Sequence, residues 1–156
     1  MLKQTAWVFA FATLAMPAQA DWFMTSRYSG QGAEQVIGTI EDSDAVYVFC
    51  RAGKIQVAYV RTDLPDIYKN ELPSPQGLVQ IDGKDPVLTT ADESFSDGSL
   101  TARFLLLPEA LKDLSNAKEK VRVALLSEGK VVQEKEFSAG FAAERARSLH
   151  DKCGKP

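Results

Sequence analysis

Two cysteines, Cys50 and Cys153, constrain this chain most, because they stand in a sequence whose first twenty residues read as an export signal. Lys3 gives a short positive start. An apolar run follows from Ala6 to Ala15, and Ala18-Gln19-Ala20 forms a small-x-small cleavage site before Asp21. An apolar run of this length is too short for a permanent bilayer span. Two cysteines in an exported chain, with none left over, read as one disulfide. The expected organisation is therefore a cleaved signal over 1–20 and one periplasmic β-rich domain over 21–156.

The remaining 136 residues are enough to bury a real core. Removing Lys3 from the 18 basic residues leaves 17 against 21 acidic ones, a net charge of −4. Acidity spread along the chain argues against a nucleic-acid binder, which carries a basic stripe, and against a polybasic membrane anchor. No second apolar segment approaches the ~20 residues of a membrane helix.

Short β-type runs separated by Gly, Pro, Asp and Asn fill most of the domain. Trp22–Tyr28 is read as a first strand, followed by a Ser29–Gly32 loop. Ala45–Cys50 is apolar on both faces, as a central strand requires. Ala52-Gly53-Lys54 turns it into Ile55–Arg61, where Ile55, Val57 and Tyr59 share a face. Pro65, Pro73, Pro75 and Gly77 mark a loop with a short helical turn expected over Asp66–Lys69. Leu78–Asp82 reads as a strand and Asp92–Gly98 as a polar connection. Leu100, Ala102, Phe104 and Leu106 alternate as one face of another strand.

Pro108 suits the first turn of a helix continuing through Ala117. Val121–Leu126 and Val131–Phe137 form a hairpin around Glu128-Gly129-Lys130. Ser138 is positioned to cap a last helix, Ala139–Lys152, on which Ala142, Ala146, Leu149 and Cys153 make one apolar stripe. The expected fold is mainly β (α+β): a two-layer β-sandwich of about six to eight strands with a short helix. A Cys50–Cys153 disulfide would tie the C-terminal helix to the sheet.

Chemistry-bearing residues are sparse. His150 is the only histidine; it lies beside Asp151, and no second Cys or His is near enough in sequence to complete a zinc set. The cysteines are 103 positions apart, unlike a C-x-x-C redox pair. Asp92, Glu93, Ser94, Ser96 and Asp97 fail the calcium-loop pattern, with Asp97 where Gly is required and Arg103 where Glu is. Glu41, Asp42 and Asp44 read as a polar loop. Neither a catalytic residue, a metal ligand nor a cofactor is expected. Among the aromatics, Tyr47, Phe49, Tyr59 and Phe104 are expected mostly in the core. Tyr28, Tyr68 and Phe95, in predicted connections, are the candidate partner contacts. The charged helix face of Glu144, Arg145, Arg147 and Lys152 reads as a solvated surface.

Several segments together carry a family resemblance: Val48-Phe49-Cys50-Arg51, Val79–Gly83, Ala102-Arg103-Phe104 with Ala110-Leu111, Phe137-Ser138-Ala139-Gly140, and Cys153-Gly154. Their order, over Ala45–Gly154, resembles the type VI secretion-associated periplasmic protein family. Gly140-Phe141-Ala142 more loosely resembles a helix start in the invasion-associated locus B family. The resemblance implies a fold and a compartment, and brings no catalytic residue. A non-enzymatic periplasmic accessory or binding protein follows as the expected function, acting by protein–protein contact on another periplasmic or envelope protein, with a link to secretion or the cell envelope as part of that expectation. The alternative is an inhibitor or immunity protein against a toxin or wall-degrading enzyme, inserting a loop such as Leu64–Gly77 or Ala91–Gly98 into a cleft.

Overall fold

The computed structural model describes residues 21–29, 32–64 and 71–153. The expected signal segment, the helical turn at Asp66–Lys69 and Tyr68 lie outside the described residues. Nine strands form a single antiparallel sheet: β1 (Phe23–Ser29), β2 (Gly32–Glu41), β3 (Asp44–Arg51), β4 (Lys54–Arg61), β5 (Pro75–Ile81), β6 (Val87–Ser96), β7 (Ser99–Leu105), β8 (Lys120–Ser127) and β9 (Lys130–Ser138). Their spatial order is β1-β2-β3-β4-β7-β6-β5-β8-β9. Helix α1 (Pro108–Leu114) joins β7 to β8, and α2 (Ala142–Lys152) follows β9.

The expected two-layer sandwich is thus corrected to one sheet curled into a half-barrel. Two strands account for the difference. β2 was not assigned from sequence, and Asp92–Gly98, expected as a polar connection, is mostly strand β6 with a tight turn at Asp97-Gly98. β6 is the corner of the sheet. Its first half, Val87–Thr90, pairs with β5, while Ala91–Ser96 pairs with β7. One strand divided between two neighbours carries the curl that a sandwich would have put into a sheet-to-sheet connection.

Inside the curl, side chains alternate inward from every strand: Ile37, Val46, Val48, Val57, Tyr59, Val79, Ala91, Ala102, Phe104, Val123, Leu125 and Phe137 form one core with Trp22, and Met24 of β1 packs against it. β5 lies against Phe104 with no room for a side chain; a Cβ on Gly77 would fall 2.2 Å from that ring. Tight turns of left-handed backbone close the hairpins at Ala52-Gly53, Asp97-Gly98 and Glu128-Gly129.

Helix α2 covers the core with Ala142, Ala146 and Leu149, the stripe expected from its spacing, and α1 with Ala110, Leu111 and Leu114. α2 begins three residues later than expected and Ser138 does not cap it. Ser138 ends β9, and Phe141 precedes the helix in left-handed backbone with no side-chain cap. The residues in between are taken by the sheet. Ala139 N–H donates to Glu119 O at 3.0 Å, and Gly140 O accepts from Trp22 N–H at 3.0 Å.

The Ala139–Glu119 bond extends the β8–β9 ladder, and the Trp22–Gly140 bond belongs to a closure between the sheet's two ends. Trp22 Nε1 donates to Ser138 O at 2.8 Å, Ser138 N–H to Glu41 Oε1 at 2.9 Å, and Lys135 Nζ to Asp42 Oδ2 at 2.7 Å. At the other rim Cys50, ending β3, is bonded to Cys153, just past α2, with their Cα atoms 5.5 Å apart. The expected strand-to-helix staple is present.

Candidate functional site

The disulfide sets where the chain offers a concave surface. Tying the end of α2 to the β3–β4 hairpin leaves α1 and α2 side by side, with two adjoining clefts along their junction. The larger, of about 440 Å³, is lined by Pro108, Leu111, Lys112, Ser115, Arg147, His150 and Asp151. The second, of about 360 Å³, runs from Pro108, Leu111 and His150 over Leu105–Leu107 and Cys153 to Gly53, Lys54 and Ile55. Pro108, Leu111 and His150 line both, so the two read as one groove. Its floor is apolar. Its rim carries Lys54, Lys112 and Arg147 against one acid, Asp151. On a chain of net charge −3 this is a local positive excess. Arg147 is held in place by donating from Nη1 to Ser115 O at 3.1 Å.

His150 is exposed and its Nδ1 is 4.0 Å from Asp151 Oδ1, beyond hydrogen-bond range. Among the described residues no three His, Cys, Asp or Glu side chains gather as a metal set would.

The acids expected as a polar loop are structural anchors. Asp44, on the inner face, accepts from Tyr59 Oη at 2.6 Å and from Arg61 Nη1 at 2.9 Å, and Gln133 Nε2 donates to Tyr59 Oη at 3.3 Å. Burial, then the bond to Asp44, pushes the Tyr59 hydroxyl well above the usual phenol range, so it stays a donor. Asp42 is held below the ordinary carboxylate range by the Lys135 ammonium. The Asp82 carboxylate accepts from the backbone N–H groups of Lys118, Glu119 and Lys120, fixing the approach to β8.

On the outer face Tyr47 and Phe49 form a second small cluster with Val36 and Ala58 rather than joining the main core. Phe49 lies beneath two guanidinium groups, Arg27 at 4.5 Å and Arg51 at 5.4 Å from its ring centre. Both cations also bond Glu34, Arg27 at 2.8 Å and Arg51 at 3.0 Å. Foremost the bond from Arg51, and with it that from Arg27, takes the Glu34 carboxyl down to about 2 against the opposing cost of burial. A carboxyl depressed in the folded state stabilises it above the unfolded pKa, and that contribution is lost as pH falls through the folded value. Stability should therefore fall between about pH 5 and pH 2, and Glu34→Gln should flatten that slope. Acid titration of the urea midpoint in both proteins checks it, and parallel slopes would contradict it.

Of the candidate partner contacts, Tyr28 is 89% exposed near the end of β1. Phe95 sits within β6, half-buried against the core, so it is not a loop contact. Tyr28 and the α1–α2 groove are not adjoining residues of one site in sequence or in the sheet. The groove was not found from sequence; its only signal was Pro108 opening one helix and an apolar stripe on the other. Because Ala91–Ser96 is strand, the Ala91–Gly98 loop invoked for an inhibitor is reduced to a tight turn. No family model, curated protein or solved structure matches the chain.

Proposed function

We propose that this chain is a non-enzymatic periplasmic accessory or binding protein. It acts through protein–protein contact on another exported or envelope protein, in the manner that the resemblance to the type VI secretion-associated family implies. The observation that carries this is the α1–α2 groove, an apolar floor with a basic rim built on the disulfide-tied part of the fold. Such a surface fits an acidic segment that offers one or two apolar side chains: the floor takes the side chains, and Lys54, Lys112 and Arg147 meet the carboxylates. The disulfide suits an oxidising compartment, and it holds the groove without ordering cost at binding.

A photo-crosslinking residue at Lys112, used in intact cells, identifies the partner. Its acidic segment is then titrated against the purified protein and a Lys112→Glu/Arg147→Glu variant. Affinity should fall at least about tenfold in the variant and weaken with added salt. Equal affinity, or a substrate turnover that His150→Ala abolishes in a folded protein, would overturn the proposal.

A further inference from the structure

The two ends of the sheet are treated differently by the sequence. At the β9 end the edge is guarded in the ways natural sheets use against pairing. Lys130, Glu134, Lys135 and Glu136 line the strand, the ladder to β8 is broken by a bulge beside Leu125 and Leu126, and Glu41 accepts from the outward N–H of Ser138. At the β1 end there is no such device among the described residues. β1 pairs with β2 through seven consecutive residues without a bulge, and contains neither proline nor acid. It carries a single charge, Arg27, ion-paired with Glu34 on the outer face, against four on β9, three of which are ion-paired as well.

The direction of the backbone groups follows from one bond. Trp22 N–H points away from β2, to Gly140 O. By the two-residue period of a strand, the N–H and C=O groups of Met24, Ser26 and Tyr28 point the same way. Among the described residues none of these groups has a partner.

We infer that β1 is the pairing edge for a second copy of this chain, in a two-fold antiparallel β1–β1 contact centred on Ser26. The register is self-complementary. Met24 of each copy lies opposite Tyr28 of the other, and Thr25 lies opposite Arg27. Met24 is half-buried, its thioether packed on the core and accepting from Ser148 Oγ at 3.9 Å, so the ring of the second copy lies over its exposed part. This covers Tyr28, at 89% the most exposed of the large hydrophobic side chains described. Charge also permits the contact: the facing strands bring no acids together on an acidic chain, and each Arg27 brings its own Glu34. Shifting the centre by one residue toward the N-terminus would set Tyr28 against Trp22, whose N–H is already used. The two sheets would join into one across the two-fold axis, an isologous interface.

Sedimentation velocity across a dilution series of the purified, oxidised protein should show a monomer–dimer equilibrium. Ser26→Pro removes an N–H that faces the second copy and not β2, so it should give a folded monomer at every concentration. Thr25→Pro, which removes a β2 ladder donor, should instead unfold β1. Tyr28→Ala should raise the dimer dissociation constant at least about tenfold. Amide exchange on the wild type needs no variant: Met24, Ser26 and Tyr28 should slow as the dimer fills. A wild type that stays monomeric, a dimer that folded Ser26→Pro leaves intact, or fast exchange at those three amides in the dimer would each overturn the inference.

Discussion

Cys153→Ser lowers the stability of this protein by about 2–5 kcal/mol, a large share of the ~5–15 kcal/mol that a domain of this size holds. The bond joins Cys50 and Cys153 across 103 positions, and closing so long a loop removes much of the freedom of the unfolded chain. The folded side of the balance points the same way. Without the bond, α2 is held by Ala142, Ala146 and Leu149, two of them small, so little apolar area keeps it on the core. Loss should therefore start at α2: its amides exchange faster before the sheet is affected, and the groove beside His150 opens with it. Because one bond is removed in every case, Cys50→Ala, Cys153→Ala and the double variant should lose equal stability rather than add. Urea denaturation under non-reducing conditions checks this, and an unchanged midpoint in Cys153→Ser would contradict it.

How much of this was legible beforehand depends on what each pattern encodes. Periodicity reports which side chains share a face, and where it was clean the elements follow it. Ile55, Val57 and Tyr59 point inward on β4, and Ala142, Ala146 and Leu149 point inward on α2. Turn chemistry placed the β3–β4 and β8–β9 hairpins for the same local reason. β6 escaped because Thr89 and Glu93 interrupt its inward face; its apolar pattern is carried by Val87, Ala91 and Phe95 alone. The curl escaped because it depends on a strand changing neighbours at Thr90 and Ala91, and no alternation of apolar residues records a change of partner.

The sites follow the same division. The disulfide was accessible from cysteine number and the expected export, and the exposure of Tyr28 from its place beside a predicted loop. The groove joins Lys54, Lys112 and Arg147 from three distant segments, so it exists only once α1 and α2 are packed together. The stack of Arg27, Glu34 and Arg51 over Phe49 likewise needs the β1-β2-β3 register, in which Arg27 faces Glu34 across the ladder. β2 was unassigned, so neither pairing was in view.

Trp22→Ala carries the second large effect, a loss of about 3–5 kcal/mol, the usual cost of deleting a fully buried large aromatic. Trp22 is only 1% exposed, and it does more than fill space. Its backbone reaches Gly140 and its indole N–H reaches Ser138, so one residue pins the first strand to the segment between β9 and α2. The two ends of the sheet share no ladder; side chains and this residue's backbone hold them together. Trp22→Phe separates the two contributions. It keeps most of the ring in the core but leaves Ser138 O without its donor, and should cost about 1–3 kcal/mol. In both variants β1 amides should exchange faster than those of β3 and β4, because the closure fails before the centre of the sheet does. Chemical denaturation with residue-resolved exchange measures both effects. A loss under about 1 kcal/mol in Trp22→Ala, well below the range for a buried aromatic, would show that the sheet's ends are held without it.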